Sequence, residues 1–343
     1  MVNASPSAGS VAVVIPCYNG ASYVCAAVES ALTQAYRGTV RVLVVDDGSS
    51  DGSPDILRRQ FSNHPRFQLL THPSRDNRGV SASRRLGVES TDAQFVAFLD
   101  ADDVFEQGKV ALQVDRLSAH PDAVLCHSAA RVIYENPADE KTFHESFTLT
   151  ERELEYEFFK LDGFLERNPI CNSTVLARRS VLVETLCHFP QLFQFEDWLN
   201  WVLLGFRGKF LFLPQRLTQY RYHAVSATAQ MVRDPLRKSY SHVEFFLALL
   251  AQDATYRQGA WLSEKLGARL RQTLASIVAM YGKEQSGLRF AAGLDTLLRG
   301  ADQVDAAEAR ALREELRIAR NRLAYYDNHP LVRLRRLIKK RLG

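Results

Sequence analysis

Acidic and amide side chains follow three apolar stretches in the first third of the sequence. These polar residues are Asn19, then Asp46 and Asp47, then Asp100, Asp102 and Asp103. Five carboxylates close together repel one another unless a counter-charge lies between them. Carboxylate oxygens are the ligands that Mg²⁺ and Mn²⁺ prefer in proteins. We therefore expect these carboxylates to hold Mn²⁺ or Mg²⁺, although residues 46–49 taken alone are equally consistent with an ordinary turn.

The apolar stretches that precede these residues have the pattern of buried parallel strands. Strands are predicted at 11–15, 40–45, 67–70 and 95–99, with helices at 22–34, 54–61 and 80–89. The strands are continuously apolar, which indicates a sheet covered on both faces, and their alternation with helices indicates parallel pairing. The sequence thus predicts a doubly wound α/β domain whose ligands lie beyond the carboxyl ends of the strands.

Composition excludes several classes of protein. The chain has 343 residues, of which 46% are hydrophobic and 24% charged, so it can bury one large core or two smaller ones. It has no apolar stretch of membrane-spanning length and no signal-peptide pattern, so we expect a cytoplasmic protein with a flexible N-terminus, residues 1–10. Five cysteines without a Cys-x-x-Cys pair favour free thiols over a disulfide framework or a zinc site.

The net charge of +4 is unevenly distributed. Residues 329–343 contain six Arg or Lys and no acid, so the rest of the chain carries a net charge of −2, which argues against a nucleic-acid-binding protein. On a helix, the leucines of this segment fall on one face and most of its basic residues flank it, a pattern typical of binding to an anionic membrane surface. Packing on the protein's own acidic surface, or a frayed basic end, is the alternative.

The second half contains two further patterns. Glu196 and Asp197 precede an apolar helical pattern, so they lie at a helix N-terminus, where a capping role is the simplest interpretation. Beyond residue 232 the chain is predicted to be helical. A stripe at 309–326, with apolar residues three and four apart, is typical of a short coiled coil, for which packing within the chain is favoured over self-association into an oligomer.

Four motifs together resemble the nucleotide-binding half of family 2 glycosyltransferases, which have the GT-A fold. They are VIPCYNG at 14–20, VVDDGSSD at 44–51, NRGVSASR at 77–84 and FLDADD at 98–103. The resemblance implies a GT-A domain at 11–232, with a nucleotide-binding half at 11–103 and an acceptor half at 104–232. A C-terminal helical region would occupy 233–343.

The resemblance implies a nucleotide-sugar donor, with a UDP-sugar favoured. The implied roles are base contacts for Tyr18 and Asp47, base or diphosphate contacts for Arg78 or Arg84, a ribose contact for Asp100, and metal binding for Asp102. Pro16, Asn19 and Ala101 belong to the same motifs and are included as donor contacts. Arg85 stands where the family often has Asn, which leaves the contacts around it open.

The resemblance also implies the chemistry. Glu196 and Asp197 match the family's Glu-Asp motif, in which the Asp is the catalytic base. The resemblance therefore implies that Asp197 is the base, and Trp198 beside it is included as a substrate contact. Residues 220–226 resemble a segment that closes over metal and diphosphate. His223 would be a metal ligand or a phosphate donor, and Arg221 and Ser226 would contact phosphate. Residues 167–174 resemble the stretch that faces the acceptor, although a simple turn is equally consistent.

The resulting expectation is an inverting, metal-dependent glycosyltransferase that extends a glycan or a lipid-linked acceptor, peripheral on the inner face of the cell membrane if its tail binds lipid. A sugar nucleotidyltransferase would need a lysine-bearing glycine-rich loop after the first strand, and a dinucleotide-binding enzyme would need Gly-x-Gly-x-x-Gly there. The sequence at that position is PCYNGASY. A non-catalytic nucleotide-sugar-binding scaffold remains the alternative from another class.

Overall fold

The computed structural model describes residues 9–140, 168, 170–186, 195–233, 235–250, 269, 272 and 273. The chain separates into two compact units, Met1–Asp234 and Pro235–Gly343. The coiled-coil stripe at 309–326, the basic tail at 329–343 and most of the N-terminal ten residues lie outside the described residues. The predictions for those segments therefore stay predictions.

The described elements of the first unit alternate between strands and helices at its start. Its strands are β1 (Val11–Cys17), β2 (Val40–Asp46), β3 (Phe67–Thr71), β4 (Phe95–Phe98), β5 (Val104–Phe105), β6 (Ala123–Tyr134), β7 (Leu176–Arg178) and β8 (Lys209–Tyr222). Its α-helices are α1 (Val24–Leu32), α2 (Ser53–Phe61), α3 (Val80–Glu89), α4 (Lys109–Ala119), α5 (Arg179–Leu186), α6 (Glu196–Gly205) and α7 (Ala227–Arg233). The strands and helices predicted for the first hundred residues are confirmed.

The described strands form one mixed sheet in the order β3-β2-β1-β4-β7-β6-β8-β5. The first four strands in this order are parallel, as predicted. β7 is antiparallel to both β4 and β6, and β8 runs parallel to β6 and antiparallel to β5. Because β1 lies between β2 and β4, the polar residues that follow these three strands share one edge of the sheet.

The core explains why this edge is fixed in place. All seven residues of β1 are buried. Val13 and Ile15 belong to the same buried cluster as Val24 and Val28 of α1, so α1 covers one face of the strand. On helix α3 a Cβ at Gly87 would lie 2.4 Å from a methyl of Val14, so only glycine lets α3 pack this closely against β1. The sheet is therefore covered on both faces, as its continuous apolar strands require.

The long strand β8 runs along β6 and reaches β5. Its last third pairs with β5, with Val104 opposite Gln219 and Phe105 opposite Thr218. Since β5 directly follows the acidic motif at 98–103, this pairing brings residues 220–223 next to Asp102 and Asp103. The motif at 98–103 and the segment at 220–226, more than a hundred residues apart in the sequence, are thus brought together by strand pairing.

The second unit is described mainly by one helix, α8 (Pro235–Leu250), as the helical pattern after residue 232 predicted. Val243, Phe245 and Phe246 are among its buried residues. In the part of the chain that the structure describes, no helix is long and apolar enough to cross a membrane.

Candidate active site

The turns after β1 and β2 are bound to each other. The Asn19 backbone N–H donates to Ser49 Oγ at 2.9 Å, and Asn19 Oδ1 accepts from the Ser50 backbone at 2.8 Å. Asp51 Oδ2 accepts from the Ala21 backbone at 2.9 Å. Asn19 therefore uses its side chain to fix the turn. These hydrogen bonds fix the turn that carries Tyr18, whose side chain lies at the edge of the sheet and is 54% exposed.

Asp47 lies in the interior, 3% exposed. Its carboxylate accepts the backbone N–H groups of Arg78 at 2.7 Å and Gly79 at 2.9 Å, and His72 Nε2 lies 3.3 Å away. Both oxygens are thus engaged with the loop before α3. In this arrangement Asp47 orients the exposed Arg78 through its backbone, while the arginine side chain extends into solvent.

Gly48 allows that loop to approach. Its φ is +77°, and a Cβ there would lie 2.9 Å from backbone atoms of Arg75, Asp76 and Asn77. Only glycine tolerates both the left-handed conformation and the contact. The Asp-Gly pair at 47–48 therefore joins the β2 turn to residues 75–79.

Arg84 lies between two carboxylates and is itself buried. One guanidinium nitrogen donates to Asp100 Oδ1 at 2.6 Å and another contacts Glu196 Oε1. Burial alone would lower the pKa of Arg84, but Asp100 and Glu196 together outweigh it and raise that pKa, so the guanidinium stays charged. Asn172 Nδ2 also donates to Asp100 Oδ1, at 3.0 Å. Arg84, one of the two arginines predicted to contact the donor, thus links the motif at 98–103 to the Glu-Asp pair at the start of α6.

Asp197 is held at the N-terminus of α6. Asn168 Nδ2 donates to Asp197 Oδ2 at 3.0 Å, and the Trp198 backbone N–H donates to Oδ1 at 2.7 Å. Burial and, to a lesser extent, the adjacent Glu196 raise the pKa of Asp197 to about 7, while Arg84 and the Trp198 N–H oppose the shift. A carboxyl group with a pKa near neutrality is matched to proton transfer.

Asp102 and His223 face each other, with Asp102 Oδ2 2.9 Å from His223 Nε2. His223 is buried, and its Nδ1 has no partner among the described residues. One carboxylate oxygen and one imidazole nitrogen could together hold a divalent cation, the carboxylate being the ligand type that Mg²⁺ and Mn²⁺ prefer. The two residues predicted as metal ligands are therefore together.

Asp103 is 1% exposed, and burial raises its pKa well above the ordinary value. Its Oδ1 accepts the Arg221 backbone N–H at 2.8 Å, and Arg221 Nε donates to the Asp102 carbonyl at 3.0 Å. Ser173 Oγ accepts the Asp100 backbone N–H at 3.0 Å. Asp103 and Ser173 thus hold the acidic turn in shape.

The five carboxylates that the sequence predicts to hold a cation do not gather into one group of metal ligands among the described residues. The described residues contain no group of three or more His, Cys, Asp or Glu arranged to hold a metal ion. Asp47, Asp100 and Asp103 have the protein partners given above, and Asp46 accepts the Ser49 backbone N–H at 3.4 Å beside a depression of about 320 Å³. Separate hydrogen bonds engage these carboxylates. Asp102 lies against His223, whereas Asp47, although 3.3 Å from His72 Nε2, also accepts two backbone N–H groups.

The other predicted contacts occupy different environments. Trp198 is 1% exposed, so its ring is a core side chain and not a substrate contact in this conformation, because α6 turns it inward. Pro16 is buried in β1, and Ala101 packs against the core beside Gly20. Ser226 Oγ accepts the Ala229 N–H at 3.2 Å and so caps α7.

Sequence reasoning missed several residues of this site. Asn168, Asn172 and Ser173 contact Asp197 or the acidic turn, and only the general resemblance of 167–174 to an acceptor-facing stretch indicated them. Tyr23 was also missed: its ring lies 5.1 Å from the His223 ring, centroid to centroid. Nothing in the local sequence around Tyr23 indicates that contact.

Comparison with known proteins decides the family. The family model described as Glycosyl transferase family 2 matches residues 12–185 of this chain. The chain belongs to this family. A putative glycosyltransferase of Bacillus subtilis, EpsH, is 24% identical over 263 residues, which cover 77% of this chain and 70% of EpsH. An uncharacterized protein of Mycobacterium bovis is 27% identical over 209 residues, which cover 60% of this chain and 57% of that protein. The match thus spans little more than half of the mycobacterial relative.

Solved structures agree with the fold. Staphylococcus aureus TarS 1–349 in complex with UDP-GlcNAc has a TM-score of 0.63 at 16% identity, covering 91% of this chain and 87% of that chain. The mannosyltransferase PcManGT from Pyrobaculum calidifontis, in complex with GDP-Man and Mn²⁺, has a TM-score of 0.53 at 19% identity, covering 95% and 91%. The predicted GT-A fold is confirmed by these likenesses together with the family match.

Proposed function

We propose that this glycosyltransferase moves a sugar from a nucleotide-sugar donor, with a UDP-sugar as the first candidate, to a hydroxyl group of a glycan or glycolipid, with inversion at the anomeric carbon. The observation that carries the proposal is the continuous set of contacts from Asp100 through Arg84 and Glu196 to Asp197. It links the donor edge of the sheet to a carboxyl group whose pKa is suited to proton removal.

The donor would bind along the edge that Tyr18, Asn19 and Arg78 line. The exposed Tyr18 ring offers a stacking surface for a base, and the Arg78 side chain extends free of the loop that Asp47 holds. Asp100, already hydrogen-bonded by Asn172, has its remaining oxygen for a ribose hydroxyl. The diphosphate would lie toward Asp102 and Arg221, near the segment at 220–226.

Asp102 and His223 would hold Mn²⁺ or Mg²⁺, which when bound supplies positive charge for the departing diphosphate. Arg221 would add a charge-assisted hydrogen bond to phosphate. Ser226, which caps α7, would fix the end of this segment beside His223.

Asp197 would act as the base. Its carboxylate would take the proton of the acceptor hydroxyl as that oxygen forms a bond to the anomeric carbon and the bond from that carbon to the diphosphate oxygen breaks. A single displacement of this kind inverts the configuration and needs no covalent intermediate. A positioned base typically contributes about 10²–10⁴-fold to the rate. Asn168 would keep the carboxylate oriented toward the acceptor.

A panel of UDP-, GDP- and dTDP-sugars, assayed for release of nucleoside diphosphate with and without Mn²⁺, tests the proposal. We expect Mn²⁺-dependent release from at least one donor, with UDP-sugars turned over fastest. Absence of release from every donor, with and without acceptor glycans, would contradict a catalytic role and favour a nucleotide-sugar-binding scaffold.

A further inference from the structure

The segment at 220–223 is bound to the rest of the domain on two sides. On one side, Arg221 and His223 contact the backbone and carboxylates of Asp102 and Asp103. On the other side they contact a single aromatic ring, that of Tyr23, which lies directly before α1. The second side belongs to no motif identified in the sequence.

Tyr23 contacts both functional side chains of the segment. The centroid of its ring is 5.1 Å from that of His223, with the planes tilted by 36°. The Arg221 Cζ atom lies over the same ring, 5.3 Å from the centroid, within the range of a cation–π interaction. One ring therefore restricts both the imidazole and the guanidinium.

The hydroxyl of Tyr23 fixes the ring in turn. It donates to Glu135 Oε1 at 2.7 Å, at the end of β6. The Glu135 backbone N–H donates to the Tyr222 carbonyl at 3.1 Å, so Glu135 is bound to the segment as well. The hydrogen bond to Glu135 raises the pKa of Tyr23, which keeps the phenol protonated and donating. Tyr23, Glu135 and the segment at 220–223 therefore each contact the other two.

The ring contact matters because His223 lacks the usual support. A metal-binding histidine commonly donates its second ring nitrogen to a carboxylate or carbonyl, which fixes its orientation. Within the described part of the chain, His223 Nδ1 is buried and has no such acceptor. The face of Tyr23 is therefore the contact that sets the plane of the imidazole and directs Nε2 toward Asp102.

We propose that Tyr23, held by Glu135, is a positioning residue that orders Arg221 and His223 for the metal–diphosphate end of the donor before the donor binds. Tyr23 also donates its backbone N–H to the Gly20 carbonyl, at the end of the turn that carries Tyr18 and Asn19. The base side and the diphosphate side of the donor would thus be ordered through one residue. This inference rests on the proposed function, since it concerns the same donor site.

The test compares Tyr23→Leu, Tyr23→Phe and Glu135→Ala with the unaltered protein, using Tyr36→Phe as a control. Tyr36 also donates its hydroxyl, to the Gly9 carbonyl, but its ring packs against the hydrophobic core. Calorimetry of UDP binding in the presence of Mn²⁺ is the main measurement. Tyr23→Leu should raise Kd about 10- to 100-fold, the usual effect of losing a contact that orients a metal ligand. Donor KM should rise more than kcat falls.

Loss of the Tyr23 hydroxyl alone should raise Kd less than loss of the whole ring. Tyr23→Phe keeps the ring and should raise Kd about two- to fivefold, the effect of one hydrogen bond. Glu135→Ala should raise Kd by the same factor. The double variant, Tyr23→Phe with Glu135→Ala, should have a Kd no higher than that of either single variant, since both changes remove the same hydrogen bond. Tyr36→Phe should bind as the unaltered protein does. Histidine NMR of the metal-free protein gives an independent readout, because the His223 ring protons should lose their shift from the Tyr23 ring in Tyr23→Leu but keep it in Tyr23→Phe.

Three results would overturn the inference alone, provided that the unaltered protein binds UDP with Mn²⁺. These are an unchanged Kd in Tyr23→Leu, equal losses in Tyr23→Leu and Tyr23→Phe, or unchanged His223 resonances in Tyr23→Leu. If the unaltered protein binds no nucleoside diphosphate in the presence of Mn²⁺, the proposed function fails and the inference fails with it. Thermal unfolding of each variant separates loss of fold from loss of positioning, and the NMR comparison remains decisive if Tyr23→Leu is less stable.

Discussion

Arg84 and Glu196, 112 residues apart in the chain, form a buried ion pair, and the other side of the Arg84 guanidinium binds Asp100. An arginine that the sequence suggested for donor contact thus neutralises two carboxylates between the donor edge and the proposed base. Removing one partner of such a buried pair typically costs about 3–5 kcal/mol, because a charge is left without compensation. The pair therefore contributes to both the fold and the electrostatics of Asp197.

The charges around Asp197 predict opposite pH shifts for two variants. As the proposed base, Asp197 would act in its deprotonated form, so kcat/KM should rise with pH through about 7. Glu196 raises the pKa of Asp197 and Arg84 lowers it, so Glu196→Gln should move this limb to lower pH and Arg84→Met should move it to higher pH. Each shift should be about one pH unit.

Arg85→Met is the matched control for Arg84→Met, since Arg85 is exposed and pairs with Glu89 on the outside of α3. Its pH profile should coincide with that of the unaltered protein. Shifts of Arg84→Met and Glu196→Gln in the same direction would contradict the assignment of the acid limb to Asp197.

The proposed metal ligands predict a loss of nucleotide binding. Asp102→Ala and His223→Ala should each abolish transfer and weaken Mn²⁺-dependent UDP binding while the protein stays folded, because each removes one of two protein ligands. Calorimetry with and without Mn²⁺ measures the effect, with the exposed Asp115→Ala as the control. Unchanged Mn²⁺-dependent binding in Asp102→Ala would show that the cation lies elsewhere.

The burial of Lys109 predicts that the stability of the protein depends on pH, independently of catalysis. It is fully buried, donates to Gln113 Oε1 at 2.5 Å, and burial lowers its pKa from 10.5 to about 7. Between these values the unfolded chain binds more protons than the folded protein, so the free energy of unfolding should rise with pH by up to about 1.4 kcal/mol per unit. Below pH 7 the contribution is constant.

Urea unfolding of the unaltered protein and of Lys109→Met from pH 7 to 9.5 measures this effect as the difference between the two profiles. Lys209→Met, which removes a half-exposed amine paired with Asp122, is the control and should run parallel to the unaltered protein. Parallel profiles for Lys109→Met would mean that Lys109 is charged in the folded state.

The basic tail at 329–343 predicts binding to anionic vesicles. Each basic group near an anionic bilayer is worth about 1 kcal/mol, and the tail has six. Deleting 329–343 should reduce sedimentation with anionic vesicles and leave donor hydrolysis nearly intact. The binding should weaken with salt, since the Debye length falls from about 10 Å at 0.1 M to about 3 Å at 1 M. Equal sedimentation of the two proteins at low salt would refute membrane binding by the tail.

The strands and helices of the first hundred residues could be predicted from sequence because each buried strand is continuously apolar and each helix has its own periodicity. β6 and β7 could not. β6 is buried over its first half only, and β7 has three residues, too few to carry a pattern. Their place in the sheet follows from pairing with distant strands.

Residue types within motifs indicated that Asp102 and His223 belong to one site, and their side chains do lie 2.9 Å apart, while their role as metal ligands stays a prediction. The site was not predictable where function depends on contacts across the fold. It was not predictable from sequence that the Asp47 carboxylate, for which the resemblance implies a contact with the base, accepts the backbone N–H groups of Arg78 and Gly79. The contact of Tyr23 with His223, 200 positions later in the numbering, was invisible for the same reason.

Donor binding and turnover of Asp197→Asn, measured on the same preparation, test the central claim most directly. Asparagine keeps the size of the side chain and its contact with the Trp198 N–H but cannot take a proton. UDP and donor affinity should therefore match the unaltered protein, while turnover with acceptor falls by several orders of magnitude, as expected when an interaction made only in the transition state is lost. Near-normal turnover in Asp197→Asn would contradict the account and place the base elsewhere.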